Sequence, residues 1–218
     1  TRVKLYFMLG LPGETKEDIE GIGILADKIA REFFDTVPKE NRNGRVQISV
    51  STSFFVPKPF TPFQWVSMES ENEYKKKASL LKSAIREKPH NRCISYQWHA
   101  PDVTLLEGVF ARGDKDVARV IECAYKKGCT FDAWSEYFDY DKWLEAFKEC
   151  NVNPDNYSVS PRESGGRLPW DYIEMGVTRR FLEEEYEKAM SGVTTKNCRE
   201  ECSYCGCQKY GAGVCNDH

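Results

Sequence analysis

The sequence predicts an α/β chain, with parallel strands first, a mostly helical extension behind them and a cysteine-rich tail. Three observations lead there. Two apolar strand segments near residues 3–9 and 46–56 flank one amphipathic helical stretch. From residue 70 onward the apolar residues recur at helical spacing, broken by capping and glycine signals. Four cysteines then fall within ten residues, at 198, 202, 205 and 207.

Each element follows from local residue chemistry. Val3 to Leu9 is an apolar, strand-forming run that enters Gly10-Leu11-Pro12-Gly13-Glu14-Thr15. Thr15 and Asp18 have capping-box spacing at a helix start. Ile19, Ile22, Ala26, Ile29 and Phe33 then mark one buried helix face, which Pro38 and the polar run to Gly44 end. Val46, Ile48 and Val50 alternate with polar residues, and Phe54-Phe55-Val56 closes the second strand. A strand, helix and strand in this order form a βαβ unit, so the two strands should be adjacent and parallel. Pro57, Pro59 and Pro62 stop the sheet there. Ser70 with Glu73 opens a helix whose face is Tyr74, Ala78, Leu81 and Ile85, and Cys93–Trp98 has the character of a short strand. Further helices are expected from Asp102 to Gly128, patterned by Val103, Leu106 and Phe110 and then by Val117, Val120, Ile121 and Ala124, over Tyr140–Cys150 and over Thr178–Met190, with loop between 151 and 170.

Bulk properties exclude several functions. Against 31 basic side chains stand 34 acidic ones, and a net charge of −3 gives no generic surface for nucleic acid or anionic membrane. No apolar run reaches the length of a membrane-spanning helix, and no secretory leader pattern is present. Nine cysteines, five of them beyond residue 197, suit a reduced, cytoplasmic compartment with a metal site better than a disulfide framework. Cys93, Cys123, Cys129 and Cys150 are scattered singly and are expected as small core residues. Because a strand begins almost at Thr1, the chain is expected to be the C-terminal portion of a longer protein, with the N-terminal part as its partner.

Two places carry chemistry. In a parallel unit the loops after both strands lie at one edge of the sheet, where α/β enzymes place their sites. Gly10 and Gly13 permit close backbone approach to a ligand, and the following helix offers free N–H groups. A tight β-to-α connection accounts for the same residues. The second place is the tail: Cys198, Cys202, Cys205 and Cys207, spaced C-x3-C-x2-C-x-C, with Cys215 beyond them. Thiolates so close can converge on zinc or on an iron–sulfur cluster, and both accept four of them. Cys205 and Cys207 are two residues apart, about 7 Å along one side of an extended chain, and a turn at Gly206 is expected to bring both onto one centre.

Leu9-Gly10-Leu11-Pro12-Gly13-Glu14-Thr15 after an apolar strand resembles a late barrel strand of radical S-adenosylmethionine (radical SAM) enzymes. Phe55-Val56-Pro57-Lys58-Pro59-Phe60-Thr61-Pro62 resembles the last strand and exit loop of that barrel. Leu105 to Asp114, Trp134 to Phe138, Leu168 to Asp171 and Thr194 to Cys207 are similar to one uncharacterised radical SAM family. Its members often carry an upstream cobalamin (B12)-binding-like domain. The resemblance implies a (β/α)6 partial barrel in its last strands over 1–66, a helical extension over 67–192 and a metal-binding tail over 193–218. It implies SAM as a cofactor, held near Gly10, Pro12, Gly13, Glu14, Phe55 and Pro57, with cobalamin a further candidate in the full-length protein. The full protein would cleave SAM reductively to a 5′-deoxyadenosyl radical; its substrate is not implied.

Cys198-x3-Cys202-x2-Cys205, with Tyr204 before the last cysteine, matches the SAM-cleaving cluster motif. That motif belongs after the first barrel strand, and only 13 residues follow Cys205 here, too few for one further βαβ unit. The tail is therefore expected to hold an auxiliary [4Fe–4S] cluster, with zinc as the alternative, and Cys207 or Cys215 as fourth ligand. The competing function is a non-catalytic, zinc-stabilised interaction module. Arg112-Gly113-Asp114 is expected as a helix–helix turn with an aspartate cap. Trp134, Tyr137, Phe138, Trp143 and Phe147 are expected to pack the extension.

Overall fold

The computed structural model describes residues 1–163 and 166–211. The chain divides into two compact units, Thr1–Phe55 with Glu69–Leu105, and Val56–Met68 with the chain from Leu106 onward.

The first unit is built on a parallel sheet. β1 (Arg2–Leu9) pairs with β2 (Gln47–Phe54) from Arg2 opposite Gln47 to Leu9 opposite Phe54, as the strand–helix–strand pattern predicts. A third strand, β3 (Ile94–Trp98), pairs parallel with β2 on its other side, giving the order β1-β2-β3. The short strand expected near residue 94 is thus part of the same sheet. It gets there because α2 (Glu71–Arg86) makes a second crossover of the kind α1 (Lys16–Thr36) makes first. Nothing in five residues of modest hydrophobicity announces such a partner.

Period-two alternation decides which face is covered. Ile48, Val50, Thr52 and Phe54 of β2 are buried, while Gln47 and Ser49 are exposed. α1 brings Ile19, Ile22, Ala26 and Ala30 to the core, and α2 brings Tyr74, Ala78, Leu81 and Ile85. The two helices pack on each other so closely that a Cβ on Gly23 would lie 3.5 Å from the α2 backbone at Ala84. Ile29 and Phe33 lie at the margin of the α1 stripe, half-buried. The Thr15–Asp18 capping box forms with both reciprocal bonds. At α2 only half of the expected box forms. Ser70 accepts from the Glu73 N–H, while the Glu73 carboxylate pairs with Lys76.

The second unit is helical. α3 (Pro101–Arg112) ends in the Arg-Gly-Asp turn, and Asp114 caps α4 (Lys115–Lys126) by accepting from the Asp116 N–H at 2.9 Å. With α5 (Tyr140–Glu149) these helices enclose Leu106, Val109, Val117, Val120, Ala124, Trp143 and Phe147. Val103, Phe110 and Ile121, expected on the buried faces, are more than 40% exposed. Trp143 and Phe147 are core residues, as expected, but Trp134 and Tyr137 are exposed. A second cluster joins Trp65, Leu168, Trp170 and Leu182, the last from α6 (Arg179–Met190). The Trp170 indole N–H donates to Gln64 Oε1 at 2.8 Å, so the segment around residue 168 is anchored although it reads as loop.

The β1–α1 turn has one position that tolerates nothing but glycine. Gly10 has φ +86° and a Cβ there would lie 2.7 Å from Tyr74 Cε1, whereas Gly13 at φ +79° has open space around it. Gly10→Ala is expected to lower stability by about 3 kcal/mol, from strain plus overlap with a buried ring. Gly13→Ala should cost about 1 kcal/mol, the backbone contribution alone. Urea denaturation of both variants checks this; equal losses would mean that Tyr74 does not press on the turn.

Candidate functional site

At the C-terminal ends of the strands, Phe55 N–H donates to Leu9 O at 2.8 Å, so the sheet closes tightly at the point where both strands leave it. Glu14 is 93% buried at its side chain, since 7% remains exposed, and accepts from the Gly10 N–H at 3.0 Å and from Lys77 Nζ at 2.7 Å. Lys77 also reaches Glu69 at 2.6 Å. Burial alone would lower the Lys77 pKa; hydrogen bonds and charge from Glu14 and Glu69 outweigh it and raise it above the ordinary lysine value. Tyr74 O–H donates to Phe55 O at 2.9 Å, and its ring stacks on Phe54 with centroids 4.3 Å apart. Glu69 Oε2 is buried without a hydrogen-bond partner among the described residues.

The sequence-predicted ligand-binding residues are therefore distributed in three ways. Pro12, Gly13 and Glu14 line a surface cavity of about 550 Å3 with Met8, Leu11 and Leu25. Gly10 and Phe55 are buried beside it in the hydrogen-bonded turn. Pro57 is fully buried in the second unit. Lys77, which ties the turn to α2, was not foreseen. It sits in a run of three lysines whose spacing marks a solvated face.

The other face of the sheet has no helix over it within the first unit. Lys4, Tyr6 and Met8 of β1, Ser49, Ser51 and Ser53 of β2, and Ser95 and Gln97 of β3 share it by register. Tyr6 is 73% exposed. Parallel sheets ordinarily have both faces covered, so a hydroxyl-rich open face is the unusual feature of this unit.

The tail is organised by one residue. Gly206, at φ +104°, turns the chain so that a Cβ there would lie 2.4 Å from Gly176 O and 2.7 Å from Thr178 Cγ2. Thr178 N–H donates to Cys205 O at 2.8 Å, and Lys209 pairs with Glu174. The turn expected at Gly206 is thus present between Cys205 and Cys207. Partial burial, a hydrogen bond with the Cys205 thiol and the charges of Cys205 and Cys198 push the Cys207 thiol up. The eight described cysteines are all free, and Cys215 lies outside the described residues. Among the described residues no three His, Cys, Asp or Glu side chains close on one metal position. Four cysteines within ten residues are, in kind, the soft donor set that zinc or an iron–sulfur cluster takes.

The chain is 27% identical over 151 residues to an uncharacterised protein of Methanocaldococcus jannaschii, a match covering 69% of this chain and 30% of that relative. No family model matches the chain. No solved structure matches it. Among the described residues no helix is long and apolar enough to cross a membrane.

Lys77→Met leaves two carboxylates without their cation and is expected to cost about 3 kcal/mol at pH 7. A raised lysine pKa contributes stability below the unfolded value, about 10.4, and loses it as pH climbs through the folded one. The difference between wild type and variant should therefore be constant from pH 7 to 9 and shrink above pH 10.5. Denaturation across that range tests it, and a gap that persists at alkaline pH would remove the ion cluster as its cause.

Proposed function

We propose that this chain is the C-terminal portion of a radical SAM iron–sulfur enzyme, supplying part of a partial barrel, part of the SAM pocket and an auxiliary metal centre. The observation that carries this reading is the open, polar face of a wholly parallel sheet. A face of Ser, Gln, Lys and Tyr side chains is unsuited to an apolar core and well suited to the wall of a solvated or substrate-filled cavity. The matched relative is also much longer than the matched segment, which supports further strands of the same protein beside β1.

In this reading Gly13 lets the backbone approach the bound SAM, Gly10 makes room for Tyr74 behind it, and the Glu14–Lys77–Glu69 cluster holds the turn rigid. Tyr74 fixes the Phe55 carbonyl, which would otherwise be available to a ligand. A cluster-bound electron and SAM supply the radical chemistry; the chain's own groups bind, orient and exclude water. Cys198, Cys202 and Cys205 would hold the auxiliary centre, and the Gly206 turn favours Cys207 over Cys215 as the fourth ligand. A second reading, a zinc-stapled interaction module, draws on the same turn, because Gly206 and Lys209 fasten the tail to residues 174–178.

The full-length protein, reconstituted anaerobically with iron and sulfide and given SAM and dithionite, should release 5′-deoxyadenosine and methionine. Cys205→Ser with Cys207→Ser should lower the iron content by about four per chain and reduce the broad absorption near 400 nm. One colourless zinc per chain and no SAM cleavage would replace the enzyme reading with the zinc staple.

A further inference from the structure

The second unit contains a pair of arginines, Arg112 and Arg162, that form no ion pair among the described residues. Arg112 is fully buried. Its Nη1 donates to Ser158 O at 2.8 Å, but Nε and Nη2 have no partner among the described residues. Arg162 donates from Nη2 to the Arg112 carbonyl, lays its guanidinium over the Trp170 ring at 5.1 Å, and leaves a buried Nε unpartnered. Among the described residues neither arginine has a carboxylate within 4.0 Å, and burial together with Arg162 lowers Arg112 to about 10. Buried guanidinium groups are ordinarily paired, because an uncompensated charge and orphaned donors both oppose folding.

Arg162 opens onto a cavity of about 980 Å3 that is also lined by Lys115, Arg167, Asn156, Tyr157 and Asp114. Three cations face one carboxylate there. That carboxylate is already engaged: Asp114 caps α4 and accepts from Tyr157 O–H at 3.0 Å. Lys115 and Arg167 are exposed and form no ion pair within 4.0 Å among the described residues. Lys115 is also the first residue of α4, so the positive end of a 12-residue helix opens on the same space.

We propose that this cavity binds the phosphate group of a small molecule, held by Arg162, Arg167 and Lys115 at the N-terminus of α4. Three cations around one cavity and a helix terminus suit a dianion with several acceptor oxygens; a single carboxylate would be satisfied by one arginine fork. Arg112 does not line the cavity and contributes only the potential of its charge beside Arg162. The proposal stands apart from the radical SAM reading, since it uses neither the sheet nor the cysteines.

Calorimetric titration of the full-length protein with inorganic phosphate and with glycerol phosphate, at constant ionic strength, tests it. Saturable binding at one site is expected, with acetate far weaker. Lys115→Gln with Arg167→Gln should weaken phosphate at least about tenfold while leaving the unliganded melting temperature nearly unchanged, because both side chains are exposed. Arg162→Lys should weaken it as well, because a single ammonium cannot both hold the Arg112 carbonyl as Nη2 does and offer the cavity the remaining guanidinium nitrogen. Tighter binding of the ester assigns the site to a phosphorylated metabolite, and equal binding to the free ion. Absence of saturable binding at millimolar phosphate, equal response to acetate, or affinity untouched by the double variant would overturn the proposal.

Discussion

Pairing of β2 with parallel neighbours on both sides is the constraint from which the first unit follows. A parallel neighbour cannot be reached by a hairpin, so each connection must return the chain to the sheet's other end, and a helix does this most compactly. Strand order 1-2-3 with two crossovers of the same hand places α1 and α2 on one face and in contact with each other. The same constraint gathers the strand ends at one edge, which is why the Leu9 carbonyl meets the Phe55 N–H and why Glu14 is within reach of Lys77. The uncovered face is a consequence as well: with both helices on one side, β2 must be apolar on alternate residues only, and its serines occupy the others.

Charge burial is handled in opposite ways in the two units. Lys77 is placed between two carboxylates, and its pairing outweighs the desolvation that burial imposes. Both partners come from turns that the sheet edge brings together, so the ion cluster also fixes the geometry of those turns. Arg112 is more deeply buried and receives one carbonyl. The first arrangement pairs its charges among the described residues and leaves only Glu69 Oε2 unbonded; the second leaves Arg112 Nε and Nη2 without a partner among them. This contrast, rather than the number of basic residues, separates a structural ion cluster from a binding site.

Much of the fold was legible because local and global signals agreed. The capping box at Thr15, the alternation over 46–50 and the aspartate cap in Arg112-Gly113-Asp114 each rest on contacts within a few residues, and each forms. The membership of β3 in the sheet was illegible, since strand pairing depends on a partner about 46 residues away, Val50 for Tyr96, and short polar-flanked strands carry little pattern. The helix faces at Val103, Phe110 and Ile121 were misplaced because periodicity gives a stripe without its centre. Lys77 and Arg162 were invisible for a different reason. A cation on a helix or loop has the same local sequence whether it meets water, two carboxylates or an indole ring.

The cysteine tail shows how far spacing carries an argument and where geometry takes over. C-x3-C-x2-C states that three thiols are close in sequence, and it matches a cluster motif whose place in the fold is elsewhere. What distinguishes a ligand set from a coincidence is whether the backbone can turn between adjacent donors. Residues two apart on an extended chain lie about 7 Å from each other along one face, and a turn shortens that distance. Gly206 is therefore the decisive position: its left-handed backbone, wedged against Gly176 and Thr178 where no Cβ fits, reverses the chain between Cys205 and Cys207. A turn this closely fitted depends on protein contacts alone, because what it presses on are Gly176 and Thr178. The proposed metal therefore rests on donor chemistry, and the turn among the cysteines rests on glycine.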